Sequence, residues 1–243
     1  YRQLGILSKL VLLGAANASF YLGFIGVLEQ GMYWGIYGGL YLVIGLILTL
    51  GGRVIPFFTE NGVDYPVQLS RPKWVTLTGL LIFIVFFISE LFLHNNTLSG
   101  YAALVLFIVY TIRLLGWYTP GIWKRPLLWS LHIAMLLINI GFLFFALHTF
   151  AGVSKFLAIH AMTYGGIGMI TVSMMARVSL GHTGRNINAP PATVNTILIL
   201  LLFGTVFRVL MPIVSADYYS SWMVISQLLW VTAFLLFVIS YLQ

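Results

Sequence analysis

Cysteine is absent from the 243 residues. That absence removes disulfides, iron–sulfur clusters and thiolate metal sites, and leaves His, Met, Tyr, carboxylate and backbone as metal donors. Charge is almost as scarce. Charged residues make up 7% of the chain against 60% hydrophobic, where a soluble domain carries about 25% charged residues. With a mean hydropathy of +1.01, the chain would not stay in water. Acidic residues are rarest, five against twelve basic, for a net charge of +7. In so apolar a chain this excess reads first as a topology signal and not as a nucleic-acid surface. No nucleotide-binding loop, hydrolase triad or HExxH motif occurs, so the residues define no catalytic reaction. There is also no internal repeat, low-complexity tract or signal peptide, and no initiator Met stands at Tyr1, which reads as a piece of something longer.

What is present is a series of eight apolar segments, near residues 3–27, 32–51, 74–93, 98–115, 127–150, 153–176, 193–214 and 220–241. Each approaches or exceeds the ~20 residues a spanning helix needs, and none alternates with period two. Helices are the solution that satisfies the backbone without water. The expected fold is an all-α polytopic membrane protein, one transmembrane domain over residues 1–243, incomplete at its N-terminus. Arg2, Lys9, Arg53, Arg71, Lys73, Arg113, Lys124, Arg125, Arg177 and Arg185 fall on one face and only Lys155 and Arg208 on the other. This bias predicts that both termini are cytoplasmic. Trp34, Trp74, Trp117, Trp123 and Trp222 lie near span ends, as an aromatic belt would. The stretches "RVIPFFTENGVDYPVQLSRPK" and "GHTGRNINAPPA" read as cytoplasmic polar segments.

Ionisable groups inside a bilayer are expensive and mark function by default. Here they form two layers. The basic-side layer holds Arg53, Arg113, His132, Arg177, His182 and Arg185, with Asn139 on the helical face of His132. The outer layer holds Glu90, His94, His160 and Arg208, with Glu90 and Arg208 deep enough to be an ion pair. His132 reads equally as a helix-tying histidine and as a ligand or proton relay. His160 is the stronger functional candidate, because Tyr164, Gly165, Gly166 and Gly168 follow it. Those glycines serve either close helix packing or a flat ligand such as a porphyrin lying beside an axial histidine. Met162, Met169, Met174 and Met175 are possible copper(I) thioethers, though in an apolar helix methionine more often fills the core. His94 and His148 read as interfacial.

"RVSLGHTGR", Arg177–Arg185, closes the sixth segment. Its glycines allow a tight turn with positive φ. Its two arginines suit bidentate recognition of an anion: a haem propionate, a lipid phosphate or a small anionic substrate. The bland alternative is a positive-inside anchor against headgroups.

"GGRVIPFFT", "RPLLWSLHIAMLLINIGF", "HAMTYGGIGMITVSMMARVSLGHTGR" and the trailing "PP" resemble the NnrS family of bacterial membrane proteins, from about residue 51 to residue 191 and most densely over 125–185. The resemblance implies a polytopic inner-membrane protein with b-type haem and copper, linked to denitrification and nitric oxide stress. It implies His132, His160 and His182 as candidate cofactor and metal histidines, and Arg53, Arg177 and Arg185 as candidates for holding propionates or an anion. Family members usually run to about twelve spans and carry an N-terminal "HAHE"-like stretch. This chain has neither, and so reads as a truncated piece or as a short variant completed by another membrane subunit. His132 and His160 enter from opposite faces, and their depths should differ by roughly 10–15 Å in a ~30 Å core. One metal should therefore not take both. The leading expectation is a redox or gas-handling protein. The alternatives are a proton- or anion-coupled transporter and a structural subunit of a respiratory complex. Lipid is the expected partner, and nucleic acid is not.

Overall fold

The computed structural model describes residues 4–241, with no strand among them. Eight helices are long and apolar enough to cross a membrane: α1 (Gly5–Phe24), α2 (Gly31–Gly62), α3 (Lys73–Leu93), α4 (Asn96–Trp117), α5 (Pro126–Ala151), α6 (Lys155–His182), α7 (Ala192–Val214) and α8 (Ala216–Tyr241). They are the eight segments expected, and the protein is an all-α polytopic membrane protein. Of the basic residues counted above, Arg2 lies outside the described residues.

Helix α5 is the centre of the bundle. Pro126 opens it at the first helical position, where the missing N–H has no partner to lose. Gly152 closes it with φ of 68°. Between these, Leu131, Ile138, Phe142 and Phe145 are buried against Tyr41 and Ile44 of α2, Phe83 and Phe86 of α3, and Leu106 and Tyr110 of α4. The Phe86 ring stands edge-on to Phe145 at 5.1 Å and to Phe142 at 5.6 Å. A second core joins the basic-side half of α6 to α7 and α8 through Met169, Val172, Ala176, Ile197, Leu201 and Ala233. Helix α1 lies outside these clusters and meets α2 through glycine. A Cβ on Gly23 would fall 2.3 Å from the Met32 backbone nitrogen.

Residues 53–62 depart from the expected polar loop: they continue α2 as helix. Pro56 lies inside it, where its ring crowds the carbonyl four residues back and one hydrogen bond is lost. The helix persists because Ile55, Pro56, Thr59 and Gly62 form a buried face at helical spacing. At Gly62 the backbone closes on Leu128, where a Cβ would sit 3.0 Å from the Leu128 side chain. At 32 residues, α2 is longer than a ~30 Å hydrocarbon core requires, so its last turns stand outside it. There the loop after α2 is stitched down. Glu60 accepts from the Leu69 N–H at 3.0 Å and pairs with Arg71. Arg125 pairs with Asp64 and donates to the Asn188 carbonyl at 2.6 Å.

Four helices carry a π-helical turn: Trp34–Gly38 in α2, Ser89–Leu93 in α3, Ala161–Ile167 in α6 and Val206–Leu210 in α7. Such turns act as one-residue insertions and recur at functional sites. Glu90 and Arg208 lie within two of them, and His160 immediately precedes a third.

Candidate functional site

The outer halves of α6, α7 and α8 line an open cavity of about 480 Å³ whose walls include His160, Tyr164, Gly168, Arg208, Trp230 and Phe234. Arg208 Nη2 lies 3.4 Å from His160 Nε2, and Nη1 lies 3.4 Å from Ser226 Oγ. A guanidinium has no lone pair to offer, so His160 Nε2 is the acceptor and its proton sits on Nδ1. Ser226 keeps an oxygen lone pair for Arg208 because its own hydroxyl donates to the Met223 carbonyl at 2.8 Å. Arg208 Nε is buried without a partner, and no carboxylate lines the cavity. The opposite wall is aromatic: Tyr164 lies 4.7 Å from Trp230, which stacks on Phe234 at 4.8 Å. The Tyr164 hydroxyl donates to the Ser226 carbonyl at 2.6 Å. The π turns set this geometry, since each shifts the side chains beyond it by roughly 100° around the helix.

Glu90 and Arg208, deep enough to pair, do not pair with each other. Glu90, 4% exposed, pairs with Lys155 at the start of α6, whose ammonium also lies over the Phe145 ring. Lys155 precedes His160 by little more than one helical turn, so α6 brings a cation to Glu90 and leaves Arg208 to His160.

The glycines after His160 serve packing. A Cβ on Gly166 would fall 2.3 Å from Ile138 Cγ1, and one on Gly165 would fall 2.9 Å from Leu137 and from Thr205. Gly168 is roofed by Trp230, with a Cβ-to-ring distance of 2.5 Å. The methionines are dispersed. Met162 fills the space above Gly141 and Met169 is fully buried in the α6–α8 core, while Met174 and Met175 line a separate apolar groove beside α2.

On the basic side, His132 and Asn139 line one cavity of about 250 Å³ with Thr111. His132 Nδ1 lies 3.0 Å from the Leu128 carbonyl and Nε2 lies 3.3 Å from the Trp117 carbonyl, so the ring ties the end of α4 to α5. Asn139 Nδ2 donates to Thr111 Oγ1 at 2.9 Å. Trp117, expected in the interfacial belt, is instead 2% exposed and lies beneath the Arg113 guanidinium.

"GHTGR" is the end of α6. Gly184 has φ of 69°, the left-handed conformation expected of a turn glycine. The Arg185 N–H bonds to the Leu180 carbonyl at 2.9 Å and the Gly184 N–H to the Gly181 carbonyl at 3.4 Å. These are the paired bonds of a helix-closing Schellman turn, which use the backbone donors an anion would need. Arg177 turns inward, its guanidinium 4.1 Å over the Phe58 ring and donating to the Leu127 carbonyl at 3.3 Å. His182 and Arg185 are exposed beyond it. Arg53 is elsewhere, in a cavity with Lys9 and Arg113. The structure thus distributes the six predicted residues: His160 faces the α6–α8 cavity, His132 the α4–α5 cavity, Arg53 the α1–α4 cavity, and Arg177, His182 and Arg185 the end of α6. No three His, Cys, Asp or Glu side chains gather as a metal site among the described residues. Sequence reasoning missed Ser226 and Trp230 of α8. The available signal was that an arginine in a span must have partners.

Eight apolar helices with ionisable groups turned into cavities define a multi-pass membrane protein. The chain belongs to the NnrS family: the family described as "NnrS protein" matches residues 1–243, well beyond the 51–191 stretch that carried the resemblance. That membership supports a membrane protein of the nitric oxide response. No curated protein and no solved structure matches the chain.

Proposed function

We propose that this protein binds a b-type haem in the α6–α8 cavity and serves the nitric oxide response as a redox or gas-handling protein. The observation that carries the reading is a histidine lone pair, His160 Nε2, held at the wall of a cavity whose one cation, Arg208, keeps a buried donor unpartnered. A guanidinium this close opposes a bare metal cation on Nε2. A porphyrin is compatible with it, because the dianionic ring offsets the charge of the iron and the propionates match the free donor of Arg208. Trp230 and Phe234 supply an aromatic wall for a flat ring. When bound, haem would supply one-electron and diatomic-gas chemistry. The chain's own residues would release His160 Nε2 from Arg208 to the iron, leave Arg208 anchored on Ser226 and free to meet a propionate, and line the flat ring with the aromatic wall.

His132 and His182 remain in the proposed ligand set. His132 would have to exchange its Trp117 carbonyl contact for a metal, whereas its Nδ1–Leu128 contact is the support a ligating histidine commonly uses. For copper the methionines do not fit as they stand, since they face different cavities or are packed in the core. The remainder of the reading has the bacterial inner membrane as location, with the basic face and both termini cytoplasmic, and residues 1–243 as one transmembrane domain. An anion-transporting role is the second reading, favoured by the absence of a carboxylate beside Arg208.

The test is an absorption spectrum of the purified, haem-supplemented protein, oxidised and reduced, with iron and copper quantified. A Soret band with stoichiometric iron, lost in His160→Ala, is the expected result. A colourless, iron-free wild-type protein whose Arg208→Gln variant loses anion flux would replace this reading with the second.

A further inference from the structure

A second cavity, of about 440 Å³, lies in the basic-side half between α1, α2, α3 and α4. Three cations from three helices line it, Lys9 of α1, Arg53 of α2 and Arg113 of α4, and no acidic residue does. Arg113 is 6% exposed. Its Nη1 donates to the Leu48 carbonyl at 3.1 Å and its Nη2 approaches Thr76 Oγ1 at 3.4 Å. These neutral partners orient the guanidinium without cancelling its charge. Lys9 donates to the carbonyl of Gly5, again neutral. Space is made by glycine: a Cβ on Gly52 would stand 2.9 Å from Arg113 Nη2, and one on Gly45 would stand 2.8 Å from the Phe83 ring. The contrast with Arg71 and Arg125 is informative. Both are more exposed than Arg113 and both have carboxylate partners, whereas Arg113 is buried with none.

We infer that this cavity is an anion site for a phosphate group, held by Arg53, Arg113 and Lys9. Thr49, Thr76 and Tyr110 add hydroxyls to the same wall, and arginine matches the phosphate oxygens in pairs. The phosphate can come from an anionic lipid headgroup or from free phosphate. Thr76 and Leu80 are exposed on α3, so the cavity opens sideways to the bilayer, and Leu48, Leu80 and Phe83 continue it with apolar surface, as a lipid would require. The site shares no lining residue with the His160 cavity and does not depend on the haem reading.

The purified full chain is examined by native mass spectrometry and by titration. Phosphatidylglycerol, inorganic phosphate and uncharged diacylglycerol are the probes. Arg53→Gln and Lys9→Gln are the variants, since neither residue is buried, and retained helical circular dichroism qualifies each. Binding of phosphatidylglycerol at one per chain, weakened about tenfold or more in each variant, supports a lipid headgroup site. Binding of inorganic phosphate with the same variant dependence supports a free-phosphate site. The inference is overturned if neither phosphate probe binds, if diacylglycerol binds as well as phosphatidylglycerol, or if the folded variants bind like wild type.

Discussion

Arg208 and Glu90 are both ionisable residues of the outer layer, and the structure resolves them differently. Glu90 has a counter-ion and Arg208 has a histidine nitrogen and a hydroxyl. Removing the cation by Lys155→Met strands a carboxylate that is 4% exposed, and should destabilise the protein by about 3 kcal/mol. Glu90→Gln should cost less, because the Lys155 side chain is 27% exposed and can reach the headgroups. The double variant should recover most of the loss in a detergent melt. Equal destabilisation by the two single variants would show that the pair does not carry the difference. Gly166→Ala drives a methyl onto Ile138 and should cost about 1–3 kcal/mol without touching the His160 cavity; an unchanged melting temperature would refute the packing role. The sequence revealed which residues are out of place in a bilayer but not which ones meet. Depth can be counted along a helix, whereas the azimuth of Glu90 or Arg208 depends on π turns that no periodicity displays.

Those π turns act at the level of the helix. The turn over Ala161–Ile167 sits between His160 and the packed half of α6. Deleting one residue within it should restore α-helical register and rotate His160 by roughly 100° away from Arg208. Helical circular dichroism should stay unchanged while the haem spectrum of the proposed site disappears. A deletion variant with a wild-type spectrum would remove the turn from the account. At the other end of α6, Gly184→Ala forces a methyl into the left-handed region and should fray the cap by about 1–2 kcal/mol, read as faster amide exchange over the last turn. "GHTGR" was legible as a glycine turn, but an arginine pair read as an anion site because the sequence does not reveal that Arg177 folds back onto Phe58. The extension of α2 through Pro56 was hidden for a related reason. Proline and charge signalled an end, and the buried face of Ile55, Thr59 and Gly62 outweighed them.

For the whole molecule, the eight spans were legible in number and order, because hydrocarbon length and backbone satisfaction leave few alternatives, while α2 and α6 run past their expected ends. The proposed orientation rests on arginine and lysine alone and is open to direct test. With no cysteine in the sequence, a single introduced thiol reports without background. Asn186→Cys should react with an impermeant maleimide only when the cytoplasmic face is open, and Asn96→Cys, at the start of α4, only from the other face. Reversed labelling would invert the topology. The Glu90–Lys155 pair, separated by 65 positions, also constrains biosynthesis. At about 5–20 residues per second, α3 precedes the arrival of Lys155 by roughly 3–13 s. During that interval α3 stands in the membrane with its acid unmatched. Glu90 lies three residues from the end of α3, near enough to wait at headgroup level. The ion pair of the outer layer therefore cannot form before Lys155 has been made.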